Sequence, residues 1–126
     1  MKKLMQIHQF DPVIYPFKLW VVVSKDLKTI NESFTTLDGN KVYFDVPDNT
    51  DAWVGHIPLK YDGLNGVLMV FENKKEMSVG NITHETNHAL KVIWDYLGED
   101  VKGEEANAYL AGWIAECVWK VKLNKE

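Results

Sequence analysis

Apolar and polar positions follow two different rhythms along this chain. Over Phe17 to Ser24 the run Leu19-Trp20-Val21-Val22-Val23 is continuously apolar and ends in three β-branched valines, and it is entered through Pro12 and Pro16. That pattern predicts a buried strand. Leu27, Ile30 and Phe34 then recur at three and four positions, which predicts a short helix over Asp26 to Phe34. Asp38-Gly39-Asn40 reads as a turn into a strand at Val42-Tyr43-Phe44, ended by Pro47-Asp48-Asn49. Ala52 to Tyr61 is a third strand candidate, and Asp62 to Gly66 a hairpin loop into the apolar strand Val67 to Phe71.

From about Val79 the period changes. Ala89, Val92, Ile93, Tyr96 and Leu97 repeat at helical spacing, Ser78 offers an N-cap and Gly98 a C-terminal stop. The result is a helix of roughly 18 residues. A short polar connector, Gly98 to Gly103, leads to a second helical stripe of Ala106, Tyr109, Leu110, Trp113, Ile114, Cys117 and Val118. The architecture is therefore α+β: a small antiparallel or mixed sheet over 10–73, followed by two packed helices over 78–121. No repeat, low-complexity tract or boundary divides 1–126, so a single domain is expected.

Candidate chemistry falls inside the first long helix. His84-Glu85-Thr86-Asn87-His88 is an H-E-x-x-H pentad. Histidines at i and i+4 stand one turn apart on the same helix face, where two imidazoles can grip one Zn²⁺. The intervening Glu85 can then serve as general base toward the water that the ion activates. The bland reading is two ordinary helical histidines and a solvated carboxylate. His88 and Val92 share a stripe, so the metal face adjoins the buried face.

Two histidines leave zinc under-coordinated, since a catalytic site usually takes three protein ligands. From His88 the helix runs on for roughly 13 Å, and the connector spans up to about 20 Å. The chain can thus double back and present a carboxylate from the first turn of the second helix. Glu105, one turn before Tyr109 on the predicted packed stripe, is the better candidate, and Glu104, turned about 100° away, is the reserve. Acidic residues are also common in a first turn simply because they complement the helix dipole.

The pentad, followed by Glu105-Ala106-Asn107-Ala108-Tyr109-Leu110-Ala111-Gly112-Trp113, resembles the gluzincin branch of the zincin metallopeptidases. The form E-A-x-A-Y-L-x-G-W after a short H-E-x-x-H helix is similar to small peptidase-like proteins encoded by bacteriophages and prophages. The resemblance covers about residues 78 to 118. It implies a glutamate third ligand, Glu105, and a peptide or protein substrate. It further implies that a strand beside the active helix holds the substrate extended; Val67 to Phe71 would serve if it is a sheet edge. The chain departs from metzincins, with no third histidine six residues after His88, and from the E-x-x-A-D form of some membrane-bound gluzincins.

Composition narrows the alternatives. The chain of 126 residues is 46% hydrophobic and holds five Trp, five Tyr and five Phe, enough for one core. A net charge of −4 and a pI near 5.5 argue against a nucleic-acid partner. No apolar run reaches the roughly 18 residues of a membrane span, and Gln6, His8, Gln9 and Asp11 interrupt any signal-like segment after Lys2-Lys3. One cysteine fits a reducing compartment, so the cytoplasm is expected. Cys117 reads as a small hydrophobe, Tyr109 as core or as a hydrogen-bond donor to the site, and His56 as a structural histidine or an oxyanion stabiliser. His8, in an expected tail, is given no role. The expected function is a zinc-dependent metallopeptidase-like hydrolase. The alternatives are a zinc-containing non-catalytic binding or structural module and a metal-free domain in which the pentad is coincidental.

Overall fold

A computed structural model describes residues 5–98 and 104–125. It shows an α+β protein. In chain order the elements are β1 (Ile7–Phe10), β2 (Lys18–Val23), α1 (Leu27–Ser33), β3 (Thr35–Thr36), β4 (Ala52–Val54), β5 (Leu59–Tyr61), β6 (Leu64–Phe71), α2 (Val79–Leu97) and α3 (Glu104–Leu123). The sheet is mixed. β6 lies at its centre, parallel to β2 on one side and antiparallel to β5 and β4 in succession on the other. β1 extends the β2 side and β3 the β5 side.

The two sheet faces sort the alternating side chains into two cores, as strand pleating requires. Leu19, Val21, Val67, Met69 and Phe71 meet α2 and α3, whereas Trp20, Val22, Leu68 and Val70 meet Ile30 of α1 together with Phe34, Val42 and Phe44. Leu19 to Val23 of β2 and Val67 to Phe71 of β6 are thus apolar at every position. At Gly66, β6 approaches β2 too closely for a side chain, since a Cβ there would stand 2.4 Å from the Lys18 carbonyl oxygen.

Several sequence expectations change in detail. His8 is in β1, an outer strand of the sheet, rather than in a tail. Val42 and Phe44 are buried without forming a regular strand, because only Lys41 makes a bridge, to Thr35. The strand expected over Ala52 to Tyr61 breaks at Gly55 to Pro58, where Pro58 offers no N–H for a ladder. The hairpin after it is tighter than expected: Asp62 and Gly63, both at positive φ, make the turn and Leu64 already belongs to β6. Val67 to Phe71 is not an edge, since β2 and β4/β5 flank it. Among the described residues the outer edge of β4, beside α2, pairs with no other strand.

α2 starts and stops where the sequence says. The Ser78 hydroxyl accepts from the Asn81 N–H at 3.1 Å, and Gly98 closes the helix at φ 71°. α2 runs antiparallel to β6: Phe71 leads through a 3₁₀ turn (Lys74–Glu76) into its N-terminus, while Asn65 Nδ2 donates to the Tyr96 hydroxyl near its C-terminus at 3.3 Å. α3 returns alongside it, with Trp94 Nε1 donating to Asn107 Oδ1 at 2.9 Å and Lys122 Nζ donating to the Met77 carbonyl at 2.7 Å. The connector expected over Gly98 to Gly103 lies, after Gly98, outside the described residues. No helix among the described residues is long and apolar enough to cross a membrane.

Candidate metal centre

The pentad spans the second and third turns of α2, and the helix sets its three candidate side chains at different depths. His84 and His88 are exposed on one stripe, while Glu85, turned 100° from His84, is only 6% exposed. The two imidazoles converge. Their Nε2 atoms stand 3.2 Å apart, with ring centroids 4.8 Å apart and planes 76° from each other. Two nitrogens bound to one tetrahedral zinc at 2.0–2.1 Å would lie about 3.3 Å apart. The histidine pair therefore has the span of two ligands to a single ion.

Glu85 Oε2 lies 3.8 Å from His84 Nε2. Burial pushes its carboxyl above the ordinary carboxylate range, while positive charge on His84 and His88 pulls the other way. A buried carboxylate 3.8 Å from the His84 nitrogen has the placement of a base whose charge a cation would support.

These groups line one side of a cleft of about 450 Å³ between α2 and β4. On the α2 wall, His84, His88, Lys91 and Asp95 form the rim, and Glu85 and Val92 lie deeper. Ala52, Trp53, Val54 and His56 form the facing wall. In β4, Gly55 and Asp51 bond to β6 (Gly55 N–H to Leu68 O, Glu72 N–H to Asp51 O), so by alternation the N–H and C=O groups of Ala52 and Val54 face away from β6. His56 also packs edge-on against Phe44, with centroids 5.8 Å apart. The sequence singled out His56 but missed Lys91 and Asp95. Their i+3 and i+7 spacing from His88 carried that signal, because it continues the histidine stripe.

The third expected ligand is placed differently. Glu104 and Glu105 are exposed in the first turn of α3. With Asn107 bonded to Trp94, Glu105 lies level with the last turn of α2, roughly 12 Å beyond His88 along the helix axis. The inward stripe of α3 is Leu110, Ile114, Cys117, Val118 and Val121, while Tyr109 is 68% exposed. The expectation that Tyr109 and Glu105 point inward together is thus corrected. Period counting took in Ala106 and Tyr109 on the same stripe, but Asn107, through its bond to Trp94, sets which face meets α2. Among the described residues no three His, Cys, Asp or Glu side chains are gathered to hold an ion.

No family model, curated protein or solved structure matches the chain.

Proposed function

We propose that this protein is a zinc-dependent, metallopeptidase-like hydrolase of the cytoplasm acting on a peptide or protein. The observation that carries the reading is the 3.2 Å separation of the His84 and His88 Nε2 atoms beside the buried Glu85 carboxylate. When bound, a zinc ion supplies Lewis acidity toward a carbonyl and toward water. The protein's own part follows from its residues. His84 and His88 hold the ion, and Glu85 takes the proton from the attacking water and delivers it to the departing amine. The free edge of β4 offers hydrogen-bonding groups to an extended peptide laid in the cleft. The buried free thiol of Cys117 accords with a reducing compartment.

Glu105 is the proposed third ligand, on the strength of the sequence pattern around it. To join the pair, the first turn of α3 must close toward the cleft. Metal titration of Glu105→Gln tests this: a ligand role predicts at least a tenfold loss of affinity, which Glu104→Gln should not reproduce. Unchanged affinity would leave a two-histidine site. Because only two donors are gathered, a second reading stands beside the first: a zinc-containing binding or structural module without turnover.

The primary test is metal content by elemental analysis of untagged protein, beside a His84→Ala/His88→Ala variant. About one zinc per chain, absent from the variant, is expected of either metal reading. Protein that takes up no zinc after incubation and dialysis would overturn both. Cleavage of unfolded protein substrates by zinc-loaded wild type, lost in Glu85→Gln, separates hydrolase from module.

A further inference from the structure

The cleft is not centred on the histidine pair. β4 is antiparallel to β6, and so is α2; β4 and α2 therefore run in the same direction. His84 is the first α2 residue to line the cleft and Asp95 the last. From His88 to Asp95 the wall extends roughly 10 Å, the length of about three extended residues. On the other side of His84, the α2 residues Val79 to Thr83 do not line the cleft. His56 follows Val54 in chain order, so it stands on the facing wall toward the same far end.

That far end holds nitrogen donors on opposite walls, Lys91 and His56, together with one carboxylate, Asp95. Lys91 Nζ lies 3.8 Å from Asp95 Oδ2, and both side chains are largely exposed. An exposed helical pair of this kind contributes little and exchanges partners readily. An incoming carboxylate can take the place of Asp95 on Lys91 while His56 faces it across the cleft.

From this arrangement we infer that the site is one-sided. It grips up to three residues on a single side of the scissile bond and favours an acidic side chain or a terminal carboxylate at the far end, received by Lys91. Lys91 is then a specificity-determining residue. The inference rests on the histidine pair as a metal site.

Short peptide hydroxamates test it without requiring turnover, because the hydroxamate anchors on the metal. Peptides with the hydroxamate at the C-terminus and peptides with it at the N-terminus extend from the ion in opposite directions. In calorimetric titration of zinc-loaded protein, one series should gain at least tenfold in affinity from one residue to three, and the other no more than twofold. Within the favoured series, glutamate at the far residue should bind at least fivefold tighter than lysine. Lys91→Glu should reverse that preference, and Asp95→Asn should strengthen it. Equal gains in both series, gains in neither, or a preference unchanged in Lys91→Glu would overturn the one-sided site while leaving the metal centre standing. Failure of acetohydroxamate to bind in a zinc-dependent way would overturn the metal reading, and the subsite with it.

Discussion

Glu85 is a carboxylate that the fold buries at a cost, and that cost is the residue-scale ground for proposing it as the general base. Replacing it with the isosteric, uncharged Gln removes the proton acceptor but keeps the shape of the helix face. In zinc-loaded protein, Glu85→Gln should retain the metal and lower peptide hydrolysis by about 10²- to 10⁴-fold, the usual worth of general acid–base catalysis. Retained metal with full cleavage would remove Glu85 from the mechanism. Cys117 is the contrasting buried group. Burial pushes its thiol up from 9.0 to about 11, with Lys120 opposing the shift. The folded protein therefore holds this proton more tightly than the unfolded chain does. The stability this contributes is present below about pH 9 and lost as pH rises through 11, an effect of roughly 2–3 kcal/mol at 1.36 kcal/mol per pKa unit. Urea titrations should show the wild type losing stability relative to Cys117→Ala between pH 8 and pH 11. A difference that stays constant over that range would refute the burial argument.

At the scale of elements, α2 is the part of the site that local sequence dictates. Its cap, its stop and the i, i+4 stripe are all set by neighbours within a few positions, so pentad and helix were legible together. Ser78→Ala should cost about 1 kcal/mol through loss of the Asn81 cap bond, measurable by thermal melting and without change in metal stoichiometry. The sheet is less local. Gly66 allows β2 and β6 to approach, and a methyl group there would meet a main-chain carbonyl and the Trp20 ring rather than a yielding side chain. Gly66→Ala should therefore destabilise by about 3 kcal/mol, the upper end of the usual overpacking cost. Denaturant unfolding that shows less than about 1 kcal/mol would mean the parallel pair can relax. Nothing in the run Gly66 to Phe71 announces its partners, because a strand buried on both faces carries no alternation to say which strands lie beside it. That is why a central strand reads equally well as an edge, and why β4, with only three residues, carries no sequence sign of a cleft wall.

For the whole molecule, a ligand that binds only the folded state raises stability by mass action. Zinc at about a hundred times its dissociation constant should add roughly 2.7 kcal/mol, a shift of several degrees in melting temperature. EDTA should abolish the shift, and His84→Ala/His88→Ala should never show it. An equal shift in that variant would place the metal elsewhere. The sequence by itself determined the α+β class, the two long helices, the buried strands at Leu19 to Val23 and Val67 to Phe71 and the pairing of His84 with His88 around Glu85, because each depends on periodicity or spacing within about one turn or one strand. Only the tertiary structure decided which strand forms the free edge, that His56, Lys91 and Asp95 share a cleft with the pair, and that Asn107 rather than Glu105 faces α2. Those depend on how distant segments dock, and a helix stripe with an apolar residue at nearly every third or fourth position leaves its rotation to be set by the partner it meets.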